Sequence, residues 1–313
     1  MRIVFCGSGG FAVPSLQSIN AGPYELAGII TQPACRAGRG RSLLPTPVAA
    51  AAEQVQLKAV ELVDVNSEKS LELVAAMKAD IIVVVDFGQF VKKPFRDLAR
   101  LDAFNLHGSL LPVLRGAAPV NWAIIRGFDR TGVTTFSLVD KMDAGPMYLQ
   151  TATEISPDET AEQLRGRLAK IGAEAVCRTL DLLAAGKAQL RLQDESAATF
   201  APKLQKSDGV IDWTAEAETI RNLIHGCWPW PGGQAAFRRA DGKEIPVTIA
   251  AAEVAQSAGG TPGLINENLN VVTGNGGLAI GQIKPAGKNI MQWRDFVNGY
   301  RVVPGDCFVA GKK

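Results

Sequence analysis

The stretch "DIIVVVDF", residues 80–87, carries five consecutive β-branched residues. It is too short for a buried helix and apolar on both of the faces a strand presents, so it reads as a strand covered on both sides. A strand of that kind needs helices above and below it. They are present: "RIVFCGSGGFAVPSLQSI" reads as strand, glycine turn and helix, with Pro14 allowed in the first helical turn. "ELAGIIT", "AAAAEQVQL", "LKAVEL" and "EKSLELVAAMKA" continue the alternation up to residue 79. Strands alternating with helices imply a parallel sheet wound by right-handed crossovers. "AFNLH" and "VTTFSLVD" add two strands, and "TAEQLRGRLAKIGAEAVCRTLDLLAAG" is a long helix closed by Gly186.

From 187 to 209 the periodicity fades into a polar connecting segment. Beyond it come one helix, "AEAETIRNLIHGC", a turn "WPWPGG", and short strands with glycine corners, the pattern of a small closed or partly closed β-barrel. A length of 313 residues suits two cores. The formal charge of +2 leaves any nucleic-acid partner to a local basic patch, and the barrel region (209–313) balances ten Lys and Arg against nine Asp and Glu. Five cysteines without CxxC or metal spacing point to free thiols in a reducing compartment, and no apolar run reaches the roughly 20 residues of a membrane helix. The expectation is a cytoplasmic protein without membrane attachment or metal.

Chemistry concentrates at the end of "AFNLH". Asn105 and His107, two apart in a strand, share a face at the carboxyl end of the sheet, where open α/β folds bind ligands. An amide beside an imidazole offers two donors to a developing oxyanion; the same pair also suits a strand end whose histidine is satisfied by backbone. Asp143, in "DKMDAGP", either reaches His107 and fixes its tautomer or simply opens a turn, with Asp140 as its competitor. "GSGG" lacks the full dinucleotide fingerprint and no acidic residue closes the next strand, which disfavours a nucleotide-binding oxidoreductase. "CRAGRGR" sets Arg36, Arg39 and Arg41 among glycines, equally a phosphate-binding loop and a solvated one. Trp228 and Trp230 suit either base stacking or a small core.

Taken together, "NLHGSLLPVLRGAAP", "TGVTTFSLVDKMDAGP", "TQPACRAGRGRSLLPTPV", "ATFAPKLQKSDGVIDW", "GCWPWPGG" and "PAGKNIMQWRDFVNGYRVVPGD" resemble the folate-dependent formyltransferases, in particular those that act on methionyl-tRNA. The resemblance spans nearly the whole chain. It implies an α/β fold: a Rossmann-like parallel-sheet catalytic domain over 1–189, a linker over 190–208 and an OB-like tRNA-binding barrel over 209–313. It implies transfer of a formyl group from 10-formyltetrahydrofolate to the α-amino group of methionine on initiator tRNA by a monomer that needs no metal. By position, Asn105, His107 and Asp143 would form the catalytic trio. Phe87, Gly88, Ser109, Leu110, Leu111, Pro112 and Asp140 would flank the folate, and Arg36, Arg39 and Arg41 would meet the tRNA acceptor end.

The chain departs from the family pattern in three places. "GSGGF" replaces G-T-P-x-F, Asp86 and Phe87 replace a small residue and tyrosine, and Leu114 replaces an aromatic or basic residue before Arg115-Gly116. The rival readings are a formyltransferase acting on a nucleotide amine or an amino sugar, a formyl-folate hydrolase, and a noncatalytic tRNA-binding protein. The first has no need of a second domain, and the last no reason to keep amide, imidazole and carboxylate.

Overall fold

The apolar run 81–85 forms the central strand of the larger sheet. The computed structural model describes residues 1–37, 42–239, 241–257 and 259–311. In chain order it contains β1 (Arg2–Gly7), α1 (Val13–Ala21), β2 (Glu25–Thr31), β3 (Cys35–Ala37), β4 (Ser42–Leu44), α2 (Pro47–Gln54), β5 (Ala59–Glu61), α3 (Glu68–Ala76), β6 (Ile81–Val85), α4 (Lys93–Arg96) and β7 (Asp102–His107). There follow α5 (Pro119–Ile125), β8 (Arg130–Ser137), β9 (Met147–Glu154), α6 (Ala161–Ala184), α7 (Ala217–Cys227), β10 (Gly233–Arg238), β11 (Glu244–Ala255), β12 (Val271–Val272), β13 (Gly277–Pro285), β14 (Met291–Gln292), α8 (Trp293–Tyr300) and β15 (Cys307–Ala310). Contacts divide the chain into two units, 1–116 with 132–153 and 165–200, and 117–131 with 154–164 and 201–313.

In the first unit seven strands lie in the order β5-β2-β1-β6-β7-β8-β9. The pairs β5–β2, β2–β1, β1–β6 and β6–β7 are parallel. All five residues of β6 are buried, as the β-branched run requires, with Ile82 and Val84 packed in a cluster with Val4, Cys6, Val74 and Phe95. Thr46 and Ser67 cap α2 and α3 by accepting the backbone N–H groups of Ala49 and Ser70. Two points differ from the sequence reading. β8 runs antiparallel to β7, pairing Phe104 with Ser137 and His107 with Thr134. The segment "CRAGRGR" is also not wholly loop, since Cys35–Ala37 pairs with Ser42–Leu44 as a two-stranded ribbon.

The sheet's geometry places the ligand crevice. β2 lies on one side of β1 and β6 on the other, so the winding direction reverses between β1 and β6. In open α/β sheets ligands bind outside the carboxyl ends at such a switch point. The residues there are Ser8–Gly10 after β1 and Asp86–Gly88 after β6; β7, with Asn105 and His107, is the next strand along.

The second unit holds an antiparallel sheet in the order β12-β13-β11-β10-β15, with β14 on β13. Residues 263–265 bridge its two ends: Leu264 pairs with Cys307 of β15 and Ile265 with Val271 of β12, giving the barrel-like closure. Its core gathers Ile220 and Ile224 of α7 with Phe237, Ile249, Leu278, Ile283, Phe296 and Phe308. The helix α8, absent from the pattern reading, contributes Phe296, stacked at 4.3 Å on Tyr300 and 5.3 Å from Phe237. Of the two tryptophans in the "WPWPGG" turn, Trp228 is half-buried and Trp230 is 56% exposed. The five cysteines are unpaired. Among the described residues no helix is long and apolar enough to cross a membrane.

Candidate active site at the carboxyl end of β7

Strand periodicity puts Asn105 and His107 on one face of β7. Asn105 sits opposite Val84 and Phe136, is half-buried, and its amide makes no hydrogen bond to another described residue. His107 is 7% exposed, its ring edge-on to Phe136 at 6.5 Å. Its Nε2 lies 2.9 Å from the carbonyl oxygen of Leu114. A carbonyl only accepts, so Nε2 is the protonated nitrogen and Nδ1 of the neutral ring carries the lone pair. Nδ1 faces Asp143, whose Oδ2 is 3.8 Å away, within ion-pair range but beyond a hydrogen bond. The same Oδ2 accepts the backbone N–H of Gly116 at 2.8 Å.

This arrangement depends on two residues in the left-handed region, Leu114 at φ +62° and Asp143 at φ +52°. Such backbone persists where surrounding bonds over-determine it. Leu114 N–H donates to Thr199 Oγ1 at 2.9 Å, and Arg115 N–H to the Thr199 carbonyl at 2.8 Å. Gln193 holds the Asp143 loop: its Nε2 donates to the carbonyls of Asp143 and Gly145 at 2.8 and 2.7 Å, while its Oε1 accepts from Arg115 at 2.7 and 3.1 Å. Gly145 is compulsory, since a Cβ there would stand 1.7 Å from the Ser137 carbonyl oxygen. Arg115 itself is 1% exposed and pairs with Glu195 at 2.7 and 3.2 Å. Glu195 also takes Lys141, and these hydrogen bonds, Arg115's first, hold its carboxyl down to about 2.

The other sequence-expected residues fall in different places. Ser109 and Leu111 are buried and Leu110 and Pro112 half-buried. Ser109 Oγ donates to the Val113 carbonyl at 2.5 Å, Leu111 N–H donates to Thr134 Oγ1 at 3.1 Å, and the Leu111 carbonyl accepts from Gln150 at 2.8 Å. The segment is a fixed wall, with no spare donor on these atoms. Phe87 is 3% exposed, its carbonyl accepting from Ser8 Oγ at 3.0 Å, and Gly88 has φ +77°, where a Cβ would stand 2.6 Å from Gln32 Nε2. Asp140 stands apart from the trio. Because β8 runs antiparallel, its end returns to the start of β7, where Asp140 pairs with Arg96 at 2.6 Å, 78% exposed. Arg36 is exposed on β3, opposite Leu43. Arg39 and Arg41 lie outside the described residues.

Gln193, Glu195 and Thr199 were missed as parts of the site, because they lie 48 to 85 residues from the groups they hold. The only available signal was an arginine beside a glycine in a loop, which says nothing about its partners.

A sheet with amide, imidazole and carboxylate at one strand end, followed along the chain by a small barrel, defines a class. The chain belongs to the formyl transferase family: the family model described as formyl transferase matches residues 1–180, and that of the formyl transferase C-terminal domain matches 203–301. It is similar to the methionyl-tRNA formyltransferase of Geotalea uraniireducens, with 40% identity over 100% of this chain and 99% of that protein. The protein of the same name from Geobacter sulfurreducens is 37% identical over 97% of this chain and 96% of its own length. Among solved structures, an N-formyltransferase of Helicobacter canadensis in complex with folinic acid and dTDP-3-aminofucose superposes with a TM-score of 0.65 at 15% identity, covering 92% of this chain and 100% of that one. HypX from Aquifex aeolicus with tetrahydrofolic acid gives 0.62 at 17% identity, covering 96% of this chain and 47% of that one. These likenesses establish a common fold.

Proposed function

We propose that this protein transfers the formyl group of 10-formyltetrahydrofolate to the α-amino group of methionine on initiator tRNA. One observation carries the choice of acceptor: the identity to proteins named for that acceptor runs the full length of both chains, barrel included. The first unit supports the chemistry and the second the macromolecular substrate. The exposed Arg36 and the neighbouring Arg39 and Arg41 supply the positive charge a tRNA end requires. Phe87, Gly88 and the wall Ser109–Pro112 border the donor site in this reading, whereas Asp140, paired with Arg96 at the other end of β7, is left out of it. A protein acting on tRNA with a folate donor would work in the cytoplasm.

In the reaction the neutral amine attacks the formyl carbon, and the oxygen of the carbonyl gains negative charge. The free amide of Asn105 donates to that oxygen. His107 accepts the amine's proton at Nδ1, the nitrogen left basic by the Nε2–H bond to Leu114. The resulting imidazolium faces Asp143, whose charge balances it, and its new Nδ1–H serves as the second donor toward the oxyanion. As the C–N bond to the donor breaks, that proton passes to the departing folate nitrogen.

The test is a competition. The purified protein is given 10-formyltetrahydrofolate with methionyl-tRNA and glycinamide ribonucleotide together, and the formyl-bearing product is identified. Formyl-methionyl-tRNA alone is expected; formylation of the ribonucleotide amine, or release of free formate as the main product, overturns the reading.

A further inference from the structure

Two of the chain's departures from the family pattern, the glycine turn and Asp86, form one structural feature at the switch point. Asp86 follows β6 at φ +46°, and its carbonyl accepts the N–H groups of Ser8 and Gly9 at 3.1 and 3.0 Å, joining the two strand ends. Its carboxylate occupies the space a side chain on residue 9 would fill: a Cβ on Gly9 would lie 1.9 Å from Asp86 Oδ2. That same oxygen pairs with Arg165 Nη2 at 2.7 Å. The guanidinium lies 5.5 Å over the ring of Phe11, on the far side of the glycine turn, and the side chain is 43% exposed. A Cβ on Gly10 would meet nothing within 4 Å, so the turn is open beside it.

An arginine clamped by a carboxylate and an aromatic face is held in one orientation, and Asp86 occupies only one terminal nitrogen. The remaining edge of the fork keeps its parallel N–H donors, the geometry that grips a phosphate through two oxygens. The location fits such a ligand. Asn105 lies one strand from Asp86 and two from Gly9, at about 4.8 Å per strand, so the strand ends that carry the Asp86–Arg165 pair and the candidate trio are neighbours in the sheet. The terminal nucleotide of an aminoacyl-tRNA carries its phosphate about one nucleoside away from the amine.

We propose that Arg165 is a specificity residue for the acceptor, binding the 5′-phosphate of the terminal nucleotide, with Asp86 as its positioning residue and Gly9 providing the room for Asp86. The inference rests on the formyl-transfer reading. A bare salt bridge between α6 and β6 would not require the open turn or the aromatic support, and substituting it would leave substrate preference unchanged.

The experiment compares two minimal acceptors, 3′-O-methionyl-adenosine 5′-phosphate and 3′-O-methionyl-adenosine, with 10-formyltetrahydrofolate and the full-length protein. Wild type should favour the phosphorylated acceptor by about ten-fold in kcat/KM, the worth of one charge-assisted contact. Arg165→Leu should bring that ratio to about one. Asp86→Ala and Gly9→Ala should each lower it through KM rather than kcat. The Gly9→Ala/Asp86→Ala pair should be no worse than Asp86→Ala alone, because the clash needs both groups. Arg165→Leu retaining the wild-type ratio overturns the proposal, as does a rise in KM for the donor in place of the acceptor, which would assign the guanidinium to a folate carboxylate. Failure of the wild type to formylate either acceptor or methionyl-tRNA would instead overturn the formyl-transfer reading.

Discussion

His107 and Leu114 are joined by a 2.9 Å contact between Nε2 and a carbonyl oxygen, and this contact determines which ring nitrogen is free for chemistry. The second histidine is arranged the opposite way. His225 Nε2 accepts the backbone N–H of Ala252 at 3.3 Å, so its proton resides on Nδ1.

With only two histidines in the chain, the contrast is directly observable. Nitrogen-15 NMR of imidazole-labelled protein above neutral pH should show one ring protonated at Nε2 and one at Nδ1. The Nε2–H signal should vanish in His107→Gln. Two rings in the same tautomer would contradict the assignment of Nδ1 as the proton acceptor.

The Asp143 loop is held by a distant side chain. Gln193→Ala removes two donors to its backbone, so the carboxylate should lose its fixed approach to His107. The expected result is a fall in kcat of about ten-fold with KM for tRNA little changed, and a stability loss of about 1–2 kcal/mol in denaturant titration. Gly145→Ala should behave similarly, since the Ser137 carbonyl must move to admit the new carbon.

Arg115 is a buried cation whose partners lie on the segment 193–195. Arg115→Ala removes its hydrogen bonds to Gln193 and its packing, and should destabilise the first unit by about 3 kcal/mol, as seen by a lower urea midpoint. Glu195→Gln should cost much less, because that carboxylate is half-exposed and screened by water.

Acid stability follows from two groups, both held below their ordinary values and both losing their contribution as pH falls. Glu195, held down to about 2, contributes stability present above the ordinary carboxylate value near 4.5 and lost as pH falls from there toward 2. His225 is pushed below its ordinary value, first by burial and then by the charge of Arg221. It therefore favours the fold above about 6.5, and the fold loses ground as pH drops below that point and the unfolded chain takes up the proton. Urea midpoints measured between pH 8 and 3 should fall on acidification, and the slope between 8 and 5 should shrink in His225→Gln; Glu195→Gln should alter the slope only below about 4.5.

Much of this was readable from local pattern. The run 81–85 demanded a central strand, and the two-residue spacing of Asn105 and His107 put both on one face at the rim. What local pattern lacks is information about pairing across the chain. Arg115 with Gln193, Asp86 with Arg165 and Gly9 with Asp86 are joined by tertiary packing over about 80 residues. The antiparallel course of β8, which carries Asp140 away from the trio, is likewise set by a connection through α5 rather than by its own alternation. The helix α8 escaped notice because eight residues with one fully buried side chain, Phe296, give too short a period to detect.

The most direct test of the account is the single-turnover rate of formyl transfer, measured by rapid quench with saturating 10-formyltetrahydrofolate and methionyl-tRNA, in Asn105→Ala, His107→Ala and Asp143→Ala. Each variant should slow the chemical step at least about 100-fold while its tRNA dissociation constant stays within about two-fold of wild type. A near-wild-type rate in any of the three would contradict the assignment of amide, imidazole and carboxylate to one reacting carbonyl.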